Sequence, residues 1–316
     1  MVKNMVGIHQ KRRKKDKIAP QLSFTPITKI NYMRSFLKLT FSALLLFAVS
    51  FGIQAQQLQM PQASPSAKIA QQVGLTDVTV DYSRPSTKGR KIFGELVPFG
   101  EVWRTGANGA SVFTFSTEVI IAGSKVPAGS YALYSIPGKT EWTLILSKNT
   151  KLWGAIGYND SEDQLRWKVP ASKTSKKYES FEISFNKLTD NSADVSLKWE
   201  QTRVDFTITT EVDPIVMADI QKQVVDAKTT NPALLYQAAS YYFTTNKDLN
   251  TAYEWIKTST DSDPKYWTMH LRAKIELALG KKTEALASAT KSKQMAQEAK
   301  NPDYVGLNDR LIKGIK

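Results

Sequence analysis

A chain of 316 residues, 41% hydrophobic and 23% charged, has the length for two ordinary globular domains. Its formal charge of +14 is unevenly placed: residues 1–55 hold ten Lys or Arg and one Asp, which leaves +5 on the rest and argues against a phosphate-binding stripe and a nucleic-acid partner. With no cysteine and only His9 and His270, the chain excludes disulfides, thiol nucleophiles, Cys-bound zinc and a multi-histidine metal site, and a Ser–His–acid triad would have to use His270.

In chain order, residues 33–55 (MRSFLKLTFSALLLFAVSFGIQA) join a basic start, Arg34 and Lys38, to an apolar run and a small Ala55. That is the layout of a secretory signal peptide, and it predicts a secreted or periplasmic protein that meets a membrane only through this segment before cleavage. The basic run KRRKKDK at 11–17 would push such a signal inward, so the start is placed at Met33 and residues 1–55 are set aside as extension plus signal. Residues 56–66 (QQLQMPQASPS) are polar and Pro-marked, and read as a linker.

From residue 67 the pattern has period two. Ten segments, at 68–74, 77–83, 111–116, 118–123, 130–136, 141–147, 164–169, 178–185, 193–200 and 202–210, alternate or carry β-branched and aromatic residues between turn clusters. They predict an antiparallel, jelly-roll-like β-sandwich over residues 67–211. At Pro214 the period becomes helical. An amphipathic helix at 215–228 is followed by two helical hairpins at 233–264 and 266–296 and a closing helix at 304–315. Aligning Ala238 with Ala273 and Ala252 with Ala285 brackets the 34-residue tetratricopeptide period, so residues 215–316 are predicted to be a small all-α, tetratricopeptide-like region. The aromatic residues there, Tyr236 to Trp267, fall at helical spacing and read as repeat core, as does His270.

Between the second and third strand segments lies DYSRPSTKGRKIFGELVPFGEVWRTGANGA, residues 81–110, with two Pro, five Gly and five basic residues among a few aromatics. Together with GSKVPAGSYALYSIPGKTEW at 123–142, it resembles the bacterial domain of unknown function 2911, found mainly in secreted or envelope proteins of Bacteroidetes-like bacteria. The resemblance covers about residues 65–210. It implies a β-sandwich, frequently with a helical repeat region behind it, and it implies no activity. Where the family commonly carries a larger polar residue, this chain has Gly109.

The residues of this stretch suit one chemistry best. Arg84, Lys88, Arg90, Lys91 and Arg104 could converge on a carboxylate, sulfate or phosphate, which the arginine fork binds with two parallel hydrogen bonds. Tyr82, Phe93 and Trp103 could stack on a sugar ring or an apolar face. The candidate ligand-binding set is therefore Tyr82, Arg84, Lys88, Arg90, Trp103, Arg104 and Asn108, for an anionic or carbohydrate-like small molecule, with no cofactor and no metal. The competing reading is architectural: the arginines pair with Asp81, Glu95 or Glu101, Trp103 is core, and the protein is an envelope scaffold whose helical repeats contact a protein partner. Hydrolysis would need paired carboxylates, for which Asp81 and Glu101 are the candidates, and the sequence offers no nucleophile–base pair. The acidic run NDSED at 159–163 lacks calcium-loop spacing and reads as a solvated loop.

Overall fold

A computed structural model describes residue 58 and residues 60–315; the signal segment and the Met33 start lie outside the described residues. Nine strands come first: β1 Ser66–Val73, β2 Thr76–Ser83, β3 Ser111–Phe115, β4 Val119–Ile121, β5 Ser124–Val126, β6 Gly129–Ile136, β7 Glu141–Ser147, β8 Asp163–Asn186 and β9 Ser192–Thr209. All pairings are antiparallel, in the order β1-β2-β3-β6-β7-β8-β9-β4-β5.

One long strand turns this sheet into a sandwich. β8 has 24 residues. Its first part, to Pro170, pairs with β7, and from Ala171 onward it pairs with β9, so the sheet folds over along it. The two leaflets then face each other. Tyr82 of β2 meets Phe181 of β8 edge-on at 5.9 Å between ring centroids, and Phe113 of β3 meets Phe206 of β9 at 6.0 Å. Alternation in β2 buries Thr76, Val78, Val80 and Tyr82 and exposes Asp77 and Asp81. Each such apolar side chain contributes about 1.5–3 kcal/mol on burial, so a one-residue slip, which would expose all of them together, is strongly disfavoured.

The ten expected strand segments become nine strands for local reasons. Segments 164–169 and 178–185 are one strand, because the polar PASKTSKK between them stays extended, with register shifts on either side of Tyr178. Segments 193–200 and 202–210 also join, and the break between them is a single residue, Glu200, at φ 54°. The turn GSKV hides the three-residue β5, a strand too short for periodicity to reveal.

Helices follow: α1 Asp213–Ile220, continuing as π-helical turns over Gln221–Asp226, then α2 Pro232–Thr244, α3 Leu249–Ser262, α4 Tyr266–Ala278, α5 Lys282–Glu298 and α6 Pro302–Ile315. Asn231 caps α2 by accepting from Ala233 N at 2.9 Å, and the Asp248 carboxylate caps α3 by accepting from Asn250 N and Thr251 N, both at 3.1 Å. Ala238, Ala252, Ala273 and Ala285 are all buried, which lets the helices approach closely.

The two hairpins repeat one another in detail. Ser259 Oγ of α3 donates to Pro232 O of α2 at 2.8 Å, and Ser292 Oγ of α5 donates to Tyr266 O of α4 at 2.6 Å. Each acceptor is the first residue of its helix. The turns match as well: Asn246 (φ 53°) and Gly280 (φ 75°) hold left-handed positions 34 residues apart, followed by Lys247 N→Tyr242 O at 2.8 Å and Lys281 N→Glu276 O at 2.9 Å. Among the described residues, no helix is long and apolar enough to cross a membrane.

Candidate ligand-binding site

The stretch between β2 and β3 runs first along β8. Thr87 N donates to Glu179 O at 2.7 Å, Phe181 N donates to Pro85 O at 2.9 Å, and the Ser86 and Ser180 hydroxyls meet at 2.9 Å. Arg84 spends its Nε on Phe181 O at 2.9 Å. Arg90 folds back on its own turn, donating from Nε to Thr87 O at 2.9 Å and from Nη2 to Ser86 O at 2.8 Å. Arg84 therefore ties the stretch to β8 and Arg90 closes its own turn, instead of either pairing with the motif's carboxylates. Asp81 pairs with Lys68 at 3.1 Å and Glu95 with Lys91 at 3.2 Å.

The carboxylate that does hold the turn comes from outside it. Glu179 accepts from Thr87 Oγ1 and from Lys88 N, the latter at 2.8 Å, and the Thr87 bond, followed by that of Lys88 N, keeps its carboxyl below the usual range. Lys88 itself is exposed, at φ 47°.

The candidate aromatics are packed inside the sandwich. The Tyr82 hydroxyl accepts from Ile183 N at 3.2 Å and its ring is buried. Trp103 is only 9% exposed and donates from Nε1 to Gly106 O at 3.2 Å. Phe93, Trp142 and Phe181 stand edge-on to it at 5.9, 6.1 and 5.5 Å, and Trp199 stacks on it at 5.8 Å. Neither ring has a free face for a ligand. Asn108, at φ 60°, ties Ser64 O (3.3 Å) and Ser83 Oγ (3.1 Å) through Nδ2. Thr105 is also left-handed, at φ 49°, a costly conformation for a β-branched residue. It is held by its donation to Ser135 Oγ at 2.8 Å and by Ser111 Oγ donating to its carbonyl at 2.6 Å.

Arg104 behaves differently from the other arginines. Trp103 and Ser135 exchange both backbone hydrogen bonds, at 2.7 and 2.9 Å. Antiparallel register then sets the next residue, Arg104, opposite Tyr134 on the outer face of the sheet. Among the described residues the Arg104 side chain has no hydrogen-bond or ion-pair partner, and its Nε is buried. Tyr134 is fully buried and its hydroxyl likewise has no partner among the described residues; burial raises its pKa, with Glu162 adding to the effect.

Residues 149–158 cover this face. Leu152, Ala155 and Tyr158 pack on Ala110, Ala132, Tyr134 and Ile145. Gly109 and Trp153 form a β-bridge, and Gly154 N donates to Asn108 O at 3.0 Å. Gly154 (φ 76°) lies against the guanidinium, where an added Cβ would stand 3.2 Å from Arg104 Nη1. Behind the segment, the Tyr158 hydroxyl donates to the Asp163 carboxylate at 2.7 Å and Arg166 Nε pairs with it at 3.0 Å; burial nevertheless pushes both Tyr158 and Asp163 upward. The segment presents two apolar residues to solvent, Trp153 at 71% and Ile156 at 83% exposure. Beside it an open cleft of about 320 Å³ crosses the outer face of β1, β2 and β3, lined among others by Lys68, Asp81, Ser83, Gly109, Ala110 and Val112. Gly109 both lines the cleft and bridges Trp153, so the Trp153 backbone borders it. At Gly109 an added Cβ would sit 3.8 Å from Leu152 O, an ordinary contact, so a side chain fits there.

Of the seven predicted site residues, the structure thus leaves Arg104 and the exposed Lys88 without side-chain partners. The reading of the sequence missed Tyr134 and residues 149–158. The usable signal was KLWGAIGY, with a Trp and an Ile flanked by Gly in a connection between strands. His270 Nδ1 donates to Asn308 Oδ1 at 2.8 Å between α4 and α6, inside the helical region.

Residues 64–208 match the model of a family described as "Protein of unknown function (DUF2911)". The matched span begins just before β1 and ends in β9, so it covers the sandwich and none of the helices. No curated protein and no solved structure matches the chain significantly.

Proposed function

We propose that the sandwich is a non-catalytic binding module of a secreted or periplasmic protein, holding an anionic or carbohydrate-like ligand in the cleft beside Trp153. The observation that carries this reading is Trp153 itself: an indole 71% exposed, on a backbone bridged to Gly109, a residue that lines an open cleft. Large exposed aromatics on fixed backbone serve as stacking platforms for the apolar face of a ring. The small floor residues Gly109 and Ala110 leave room for close approach. Among the described residues the one carboxylate lining the cleft, Asp81, is paired with Lys68. That leaves no second carboxylate for acid–base hydrolysis of a glycoside.

A glycan array probed with the purified protein tests the reading. Trp153→Ala should weaken binding roughly tenfold, the loss of a stacked ring with its buried area, at an unchanged melting point. No bound saccharide or small acid, or equal binding by the variant, would remove the proposal. The address rests on residues 33–55, and N-terminal sequencing of the mature protein should give a start near residue 56.

A second reading is supported by the junction of the sandwich with the helices. An apolar groove of about 220 Å³ lies between Leu75, Ile215, Val216, Leu234 and Tyr241, and Leu75 and Ile215 are each 49% exposed. The Ser259 and Ser292 bonds, one repeat apart, favour reading the helices as tetratricopeptide-like and this groove as a protein-binding edge. Ile215→Glu should then abolish cross-linking to an envelope partner; unchanged cross-linking would exclude the groove.

A further inference from the structure

At the junction of the sandwich with the helices, the apolar groove has a second chamber. A cavity of about 220 Å³ beside Thr117, Ile120, Val212 and Pro214 shares Leu75 and Ile215 as walls with the groove along α1 and α2. Leu75 occupies the two-residue turn between β1 and β2, next to Gly74 at φ 57°, where polar residues or glycine are usual. An exposed leucine there does nothing for the turn.

The rim of this groove is acidic. Glu118, Glu211 and Asp219 line the two chambers, and among the described residues no Lys or Arg does. Asp213 stands close by, accepting from the hydroxyl of Tyr241, itself a lining residue, at 2.8 Å. Asp190 lies alongside, its carbonyl 3.3 Å from where a Cβ on Gly74 would stand. Two lysines answer these five carboxylates. Lys125 bridges Glu118 and Glu211 at 2.8 and 3.5 Å, and Lys247 pairs with Asp213 at 2.7 Å. Asp190 and Asp219 are exposed and enter none of the ion pairs among the described residues. The chain beyond residue 55 is net positive, so this negative field is local to the groove.

We propose that the groove receives a cationic amphipathic segment of a partner protein, with apolar side chains in the two chambers and Lys or Arg against the carboxylate rim. The proposal rests on the groove being a protein-binding edge. Two adjoining chambers suit apolar side chains one helical turn apart, the way an amphipathic helix enters a groove. The rim then favours a positive segment and repels an acidic one.

Fluorescence anisotropy tests this with three labelled helical peptides that share leucines at i, i+3, i+4 and i+7 and carry Lys, Gln or Glu elsewhere. The Lys peptide should bind roughly 10-fold tighter than the Gln peptide at low salt, and the Glu peptide should bind weakest. Raising the salt to about 0.5 M should remove most of that preference. Ile215→Ser should weaken the Lys and Gln peptides alike by about fivefold. Asp219→Lys should cut the Lys preference and leave the Gln peptide unchanged. Both positions are exposed, so both variants should melt like the wild type. Equal binding of the three peptides overturns charge selectivity and leaves the groove to a partner of other chemistry. Failure of all three, or Lys-peptide binding that Ile215→Ser does not change, overturns the proposal. A dimer in sedimentation that Ile215→Ser dissolves also overturns it, by putting a second copy of the chain in the groove. The cross-linking of Ile215→Glu reports separately on the groove reading itself.

Discussion

Trp103 and Trp199 stack with ring centroids 5.8 Å apart and 17° between their planes, joining the irregular stretch on one leaflet to β9 on the other. The most conspicuous aromatic of the stretch is thus a structural pin. Trp103→Ala should cost about 3–5 kcal/mol, as other large-to-small core substitutions do, measured by urea unfolding. A variant that folds with wild-type stability but no longer binds ligand would contradict this placement.

Arg84 and Arg104 should part company in the absence of any ligand. Arg84→Ala removes the bond to Phe181 O and should cost about 1.5–3 kcal/mol. Arg104→Met removes no bond made within the protein and should cost nothing or stabilise.

Two glycines three residues apart should differ in the same way. Gly106 sits at φ 154°, where a Cβ would stand 3.1 Å from Ser111 Oγ and 3.3 Å from Ser83 O. Gly106→Ala should cost about 1–3 kcal/mol, and Gly109→Ala less than about 0.5 kcal/mol. Thermal melts of the two variants side by side give the comparison.

Ser259→Ala and Ser292→Ala should be equivalent lesions. Each removes one half-buried hydrogen bond between paired helices, and each should cost about 0.5–1.5 kcal/mol. A clear inequality in urea would mean that the two hairpins do not share one packing plan.

Stability should fall on mild acidification through His270. Burial, reinforced by the positive charge of Lys274, holds this ring below its ordinary pKa of 6.5, against the raising effect of the Asn308 hydrogen bond. The unfolded chain therefore takes up a proton first. The contribution is full above about pH 6.5 and is lost as the pH falls from there through the folded value. Asp163, whose carboxyl burial raises, works in the opposite sense. Unfolding free energies of wild type and His270→Gln from pH 7.5 to 5 should converge on acidification, with reference to ~6.5 as the unperturbed His value.

Much of the fold was legible because period-two patterning maps directly onto one buried and one wet face, as in β2, and because the change to helical spacing at Pro214 marks where the helices begin. The continuity of β8 was not, since PASKTSKK is polar and looks like a loop while its backbone stays extended, paired as far as Lys173 and again at Tyr178. The site was legible only in part. A sequence lists basic and aromatic residues but does not tell which are spent on carbonyls, as Arg84 is on Phe181 of β8 and Arg90 on its own turn. Nor does it bring Tyr134, inside an ordinary strand, next to Arg104; only sheet register does that.

The most direct test is thermal unfolding of wild type, Arg84→Ala and Trp153→Ala, each with and without a panel of glycans and small acids, since a ligand that binds only the native state raises its midpoint. The account predicts that Arg84→Ala melts several degrees lower yet keeps its ligand-induced rise, at about 2–4 °C per kcal/mol for a protein of this size. Trp153→Ala should melt like wild type and lose the rise. If no ligand moves the wild type, or Trp153→Ala keeps the full rise, the cleft is not a binding site.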